Sequence, residues 1–305
     1  MAMSLLYQLL IWAIVLTPAE YLFGAYPLVL ASFERKQNAF LLLINACFIP
    51  VLTAVATVAA VLCLEAVVPD GFGAITGRQP FWLQIIEAVV LVDLGVYVSH
   101  RLLHTRYLWR FHEVHHSAEE MNWFVAFRFH PVDLGINAIL TTIPAVLLGL
   151  SIEAIAVAKL INGWQSTISH ANVWLGLGPL RRIFIDPGFH HWHHANDRDA
   201  YDRNFGGLLV VWDWLFGTLY APNRKRVAKF GVDGPGYHSL SGLIIAPFRR
   251  PLPATSQGDG HDLPDIKHAP ALSPVHDVEV ERPSEITVAR DDLLVGSVAQ
   301  SSERS

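Results

Sequence analysis

Histidine is concentrated in three short segments of this 305-residue chain. Of its 15 histidines, 11 lie between His100 and His194. The segments are His100-Arg-Leu-Leu-His104, His112-Glu-Val-His-His116 and His190-His-Trp-His-His194. On a helix, positions i, i+3 and i+4 share one face, so each segment brings its imidazoles together. Neutral imidazole is the commonest side-chain metal ligand, and the three segments therefore predict a metal site.

The number of imidazoles favours two metals over one. A first-row metal takes about four to six ligands. The helical spacing supplies eight candidates: His100, His104, His112, His115, His116, His190, His193 and His194. Imidazole suits iron, copper, nickel and zinc alike, so ligand type alone does not select the metal. The neighbouring apolar segments make alkyl chains the available substrate, which favours redox chemistry.

Three further histidines have weaker sequence signals. We expect His170, in Ser-His-Ala-Asn172, to be a ligand as well. His130, which precedes Pro131, is either a ligand or a supporting residue. In a helical third segment, His191 points away from its neighbours, so it is expected to support the site or to lie on the surface.

Two other functions remain open on the residues alone. His112-Glu-Val-His-His116 also fits H-E-x-x-H, the signature of zinc metalloproteases with Glu113 as general base. That reading, a membrane zinc hydrolase, gives no purpose to His115 or to the other two segments. A non-catalytic metal transporter is the third candidate, and metal content measured together with turnover separates all three.

The elements that must carry these histidines are apolar helices. Hydrophobic residues make up 52% of the chain and charged residues only 16%, against roughly 25% charged in soluble domains. Residues 39–64 contain no charge at all, and this exceeds the ~20 apolar residues that cross a bilayer. Other candidate spans are 4–30, 81–99, 134–150 and 152–168, the last two being either a hairpin that dips into the bilayer or two full crossings. The sequence predicts an all-α membrane bundle of about four to five segments, capped by a helical histidine site.

Charge distribution gives the expected orientation. Arg35 and Lys36 follow the first span, and Arg101, Arg106 and Arg110 follow the third. Because Lys and Arg are enriched in cytoplasmic loops, the site is expected on the cytoplasmic side, of the inner membrane in a bacterium or the endoplasmic reticulum in a eukaryote. The net charge of −5 excludes a typical nucleic-acid binder. The two cysteines lie in an apolar run and exclude a disulfide scaffold.

The expected organisation has four parts. Residues 1–80 are N-terminal transmembrane helices, 81–222 a catalytic domain, 223–250 a basic surface segment and 251–305 an acidic tail. The tail has six prolines and no aromatic residue, a composition that favours disorder.

Across about residues 90–222, the chain resembles the fatty acid hydroxylase/sterol desaturase superfamily of membrane di-iron enzymes. The three histidine segments carry the resemblance, together with other motifs in the same order: Asp93 with Tyr97, Leu108–Ser117, Arg128-Phe-His-Pro131, His170-Ala-Asn172, Asn204-Phe-Gly206 and Trp212–Thr218. Two positions differ from the common pattern: His191 stands where the family often has Arg, and Phe205 where Tyr is common.

The resemblance implies a cytosol-facing site with two Fe2+ ions that hydroxylates or desaturates a lipid C–H bond with O2. It implies nine iron ligands, the eight histidines above and His170, with Asp93, Asn172 and Asn204 orienting imidazoles and His130 a possible addition. Two electrons would come from a separate cytochrome b5-like or ferredoxin-like donor. Arg181, Arg182 and Arg224–Arg226 are candidate docking residues for it.

Overall fold

The computed structural model describes residues 2–29, 32–67, 78–222, 225–234, 237 and 239–249. Its helices are α1 (Ala2–Phe23), α2 (Phe33–Val67), α3 (Phe81–Leu103), α4 (Trp109–His116), α5 (Pro131–Leu147), α6 (Ile152–His170), α7 (Pro187–His193), α8 (Val211–Leu215) and α9 (Leu240–Arg249). Short 3-10 helices cover Trp123–Phe127, Gly178–Arg182 and Arg198–Ala200.

The expected all-α class is confirmed for the described residues. Where these residues pair outside helices, they form only two isolated bridges, Phe184 with Leu209 and Ala195 with Phe230. The tail 251–305 and Arg224 lie outside the described residues.

Four helices form the bundle that carries the site. α5 packs against α2 and α3, and α3 also packs against α6. The shared core is built largely from small side chains, such as Ala88, Ala145 and Ala158, which are fully buried. A Cβ atom on Gly95 would lie 2.5 Å from the carbonyl oxygen of Leu140, so only glycine permits this approach of α3 to α5. Small residues at such contacts are typical of helices packed in membranes.

The outer surface of the bundle is apolar. Two helical segments, Phe33–Cys63 and Phe81–Leu103, are long and apolar enough to cross a membrane, judged by length and composition. On the first, Leu43, Val55 and Leu62 are 60–67% exposed. The segments Tyr7–Phe23 and Pro131–Leu147 are apolar but shorter. The structure therefore supports two of the expected spans, and the total of four to five stays a prediction.

A buried glutamate fastens the N-terminal helices to the layer that contains the histidines. Glu20 Oε1 accepts hydrogen bonds from the backbone N–H of Trp123 (2.6 Å) and of Asn172 (3.0 Å). Its Oε2 pairs with Arg35 at 3.4 Å. Because Asn172 lies two residues after the end of α6 at His170, this one carboxylate connects α1 and α2 to the segment that presents His170.

Candidate metal centre

Nine imidazoles from four elements converge in two adjoining groups. Within each group the candidate ligand atoms lie within 4.8 Å of one another. Group one consists of His100, His104, His112, His116 and His193, and group two of His115, His170, His190 and His194. The structure thus brings together all nine histidines expected to bind metal. The second and third sequence segments each contribute to both groups.

In group one, hydrogen bonds fix which ring nitrogen carries the proton. His100 Nδ1 lies 3.0 Å from the carbonyl oxygen of Phe205, and His193 Nδ1 lies 2.7 Å from that of Arg203. A carbonyl oxygen only accepts, so Nδ1 must donate, and the lone pair of the neutral ring is then on Nε2. His104 Nδ1 has the same arrangement with the carboxylate of Asp202, at 3.0 Å.

The lone pairs of group one point to a common centre. The Nε2 atoms of all its members are buried, and among the described residues none has a hydrogen-bond partner. Leaving several acceptors unpaired in the interior is costly unless something else binds them. A metal cation binds several nitrogen lone pairs at once and so removes this cost. The residues of group one therefore fit a metal ion.

Group two shows the same property through its contact distances. His170 Nδ1 donates to the carbonyl oxygen of Ser166 (2.7 Å), so its Nε2 carries the lone pair. That Nε2 lies 3.1 Å from Nε2 of His115, 2.8 Å from that of His190 and 3.2 Å from that of His194. A single proton can satisfy only one of these contacts. Four nitrogens arranged tetrahedrally around one ion at metal–nitrogen bond lengths lie about 3.3 Å apart, so group two also fits a metal.

Burial keeps these imidazoles neutral. It lowers the pKa of His112 to about 3. Burial, followed by the proximity of other imidazoles, holds the pKa values of His116, His190 and His194 well below the usual range. Only a neutral imidazole offers a lone pair to a metal, so the site is ready for coordination at physiological pH. An all-imidazole donor set favours iron, copper, nickel or zinc over magnesium or calcium.

The three residues expected to orient imidazoles bind backbone. Asp93 Oδ1 accepts from the N–H of Leu208 (2.7 Å), and its Oδ2 accepts from the N–H of Leu209 (3.0 Å) and from Trp212 Nε1 (2.8 Å). Asp93 thereby holds the loop that contains Leu208 and Leu209 against α3. The physical reason is that a carboxylate can satisfy several backbone donors at once, which the loop needs at this depth in the bundle.

The two asparagines act in the same indirect way. Asn172 exchanges two 2.9 Å hydrogen bonds with the backbone of Tyr26. Asn204 Nδ2 donates to the carbonyl oxygens of Phe189 (3.1 Å) and Tyr220 (2.7 Å). Asp93, Asn172 and Asn204 thus hold the segments next to the imidazoles, and their role in orienting the rings stays a prediction.

His130 and His191 lie outside both groups. His130 Nδ1 accepts from the N–H of Val132, and its Nε2 lies 3.1 Å from the carbonyl oxygen of Ile244, so both nitrogens are engaged in capping α5 and holding α9. Metal binding by His130 stays a prediction. His191 is buried rather than on the surface, and its ring packs near those of Tyr26 and Phe230.

Most of the hydrogen-bond partners that hold the imidazoles are backbone carbonyl oxygens. Any residue type supplies such an oxygen, so the sequence does not reveal them. One sequence signal was present. Asp202 and Asn204 have φ values of 55° and 58°, a left-handed conformation in which Asp and Asn are enriched. Asp213 also supports this turn, because it accepts from the N–H of Phe205 (2.7 Å) and of Gly206 (2.8 Å). Burial raises the pKa of Asp213 to about 6.

Replacing Asp202 by asparagine tests the support of His104. Asparagine tolerates the left-handed backbone, so the turn is kept while the carboxylate charge on His104 Nδ1 is lost. We expect metal affinity to fall about 10- to 100-fold, as for other hydrogen-bond partners of ligating histidines. The measurement is metal retention against a chelator series. Asp199→Asn, at a nearby exposed carboxylate, is the matched control, and equal retention by both variants would contradict this role.

A cavity of about 360 Å³ opens onto both groups. His100, His112, His115, His170 and His190 form one end of it. The remaining walls come from α1, α2, α3, α5 and α6 and from the segments that follow α4 and α7. A ligand in this cavity would lie among the bundle helices with one end against the imidazoles.

The fold and the site define a class, a helical bundle whose apolar helices lead to a double histidine cluster. Residues 85–218 match the family model described as fatty acid hydroxylase. The resemblance found in the sequence is thereby confirmed.

Curated relatives match about half of the chain. The ornithine lipid hydroxylase OlsE of Rhizobium tropici is 33% identical over 57% of this chain and 53% of its own length. Alkylglycerol monooxygenase of Homo sapiens is 33% identical over 49% of this chain and 33% of its own. Delta(7)-sterol-C5(6)-desaturase of Nicotiana tabacum is 27% identical over 46% of this chain and 51% of its own length. The chain thus spans about half or less of the length of these relatives. No solved structure matches it.

Proposed function

We propose that this protein is a membrane-bound di-iron oxygenase that hydroxylates or desaturates a C–H bond of a lipid, using O2 and two electrons from an external donor. One observation carries the proposal: two groups of buried imidazoles present their Nε2 atoms to common centres at the end of a cavity between apolar helices. The names of the relatives, two of which are a hydroxylase and a monooxygenase, favour hydroxylation over desaturation.

The roles of the chain's residues follow from their positions. Group one and group two would each hold one iron, and the two irons would together supply O2 activation and the oxidation of an unreactive C–H bond. The carbonyl oxygens of Phe205, Arg203 and Ser166 hold imidazole rings in the tautomer that exposes Nε2. Burial of the rings excludes bulk water, and the cavity walls position the lipid chain against them.

The proposed location is a multi-pass membrane protein with its site at the cytoplasmic face. The apolar surfaces of α2 and α3 support the membrane location. Arg101, Arg106 and Arg110, close to His100 and His104 in sequence, support the orientation. Residues 81–222 are the proposed catalytic domain. Arg182, beside an Arg181 that pairs with Asp186 at 3.0 Å, is a candidate contact for a cytochrome b5-like or ferredoxin-like donor.

The deciding experiment combines metal content with isotope incorporation. We expect the purified protein to contain about two irons per chain and, with added reductant, to transfer one atom of 18O2 into a membrane lipid. A deletion strain should lack the product that is heavier by one oxygen, or lighter by two hydrogens if the reaction is a desaturation. Zinc with hydrolysis, or metal flux without turnover, would replace this proposal by the hydrolase or the transporter. Against the hydrolase, the H-E-x-x-H motif uses only His112 and His116 and leaves the other seven clustered histidines without a role.

A further inference from the structure

Polar side chains on α5 and α6 form two rows that face the cavity. On α6, Lys159, Asn162 and Ser166 precede His170 at intervals of three or four residues, and on α5 the row consists of Asp133, Asn137 and Thr141. All of them line the cavity. Polar residues at helical spacing form a polar stripe along the side of each helix that lines the cavity. A pure hydrocarbon chain has no group that could use these donors and acceptors.

Lys159 is the cationic member of these rows. Its Nζ donates to Thr142 Oγ1 at 2.6 Å, and in the described part of the chain it forms no ion pair with a carboxylate. One turn closer to the histidines, Asn162 Oδ1 is buried without a hydrogen-bond partner among the described residues. Asp133, the carboxylate of the facing row, lies at the other end of the cavity, 3.5 Å from His112. No carboxylate of the described residues therefore pairs with the lysine as a counter-charge.

The position of Lys159 sets a length. It lies eleven residues before His170 on the same helix. At the rise of an α-helix, the Cα atoms of the two residues are about 16 Å apart along the helix axis. A molecule that contacts both Lys159 and the imidazoles must therefore be lipid-sized. Ionisable residues on membrane helices are costly, face interior cavities and mark the path of a substrate.

We propose that Lys159 binds the anionic group of the substrate, a carboxylate or a phosphate, and that the substrate is therefore an acidic amphiphile. This inference rests on the proposed function. Charge neutralisation at Lys159 would fix one end of the amphiphile, so that a carbon further along its chain is held against the histidine groups. Lys159 is thus a specificity-determining residue, and it selects both the substrate and the position of the oxidised carbon.

Binding of defined probes tests the inference with the full-length protein in neutral detergent. The probes are palmitate, hexadecyl phosphate and hexadecan-1-ol, which share one chain length and differ in their polar group. We expect at least one of the two anions to bind about 10- to 100-fold more tightly than the alcohol, as a charge-assisted hydrogen bond provides. Comparison of the two anions separates carboxylate from phosphate. Equal affinity of the wild-type protein for all three probes would overturn the inference without the use of any variant.

Variants of Lys159 and Thr142 test whether the preference for anionic probes comes from the lysine. Lys159→Met keeps the length of the side chain and should remove the preference for anions, whereas Lys159→Arg should keep it. Thr142→Val is the matched control, because it removes the hydroxyl that Nζ contacts and leaves the charge. An unchanged preference in a folded Lys159→Met protein, judged by its thermal melting, would refute the role of this residue.

Failure of this inference and failure of the proposed function give different results. If anions bind through Lys159 but no O2-dependent product forms, the binding site stands and the oxygenase proposal fails. If the protein oxidises lipids with O2 and Lys159→Met oxidises the same lipids at the same positions, the oxygenase stands and this inference fails.

Discussion

Replacing His194 by alanine should abolish lipid oxidation and reduce the iron content from about two to about one per chain. Group two has four members, and His194 Nε2 lies 3.2 Å from Nε2 of both His170 and His190. Alanine removes one of four donors and leaves a gap at the centre of that group. We expect activity to fall by roughly a thousandfold or more, since the chemistry depends on the metal. Iron analysis and 18O2 incorporation on the same sample measure both effects.

The two groups should differ in their response. His112→Ala removes one of five donors from group one and leaves four, namely His100, His104, His116 and His193. The His112→Ala protein should therefore retain more iron per chain than the His194→Ala protein, although it also loses its activity. His130→Asn is the control, because it alters a histidine outside both groups, and asparagine can also cap α5. Wild-type activity and iron content in both alanine variants would show that the histidine groups are not the metal site.

The clustering of the histidines could be predicted from the sequence, but their division into two groups could not. Spacing of i, i+3 and i+4 places His112, His115 and His116 on one side of α4. His115 and His116 are adjacent in sequence, yet their rings enter different groups. The division depends on how α4 meets α6 and α7 in three dimensions, which no local pattern records.

The extent of the helices shows a similar limit. Hydropathy marks the charge-free run at 39–64, whereas α2 begins at Phe33. The additional turn is polar because it binds protein rather than lipid: Asn38 Oδ1 accepts from Arg128 Nη1 at 2.7 Å, and Gln37 donates to the carbonyl oxygen of Tyr237 at 2.6 Å. A hydropathy signal detects the part of a helix that suits a membrane and misses the part that is satisfied by tertiary hydrogen bonds.

Replacing Asp93 by alanine should destabilise the protein and loosen the metal site, although Asp93 contacts no imidazole. The substitution leaves three donors, the N–H groups of Leu208 and Leu209 and Trp212 Nε1, without their acceptor. An unpaired buried donor costs about 1–3 kcal/mol. The sum, about 3 kcal/mol or more, corresponds to a decrease in Tm of roughly 6 °C or more for a chain of this size.

The loss should reach the metal because the loop held by Asp93 continues directly from the residues that anchor group one. Phe205 and Arg203 supply the carbonyl oxygens for His100 and His193. We expect iron affinity to fall about 10- to 100-fold, the range found when a hydrogen-bond partner of a ligating histidine is lost. Glu87→Ala is the matched control on α3, because among the described residues Glu87 accepts one hydrogen bond, from the side chain of Gln79. An Asp93→Ala protein that melts and retains iron like Glu87→Ala would show that the loop holds its shape without this carboxylate, and that the bundle positions the imidazoles by helix packing alone.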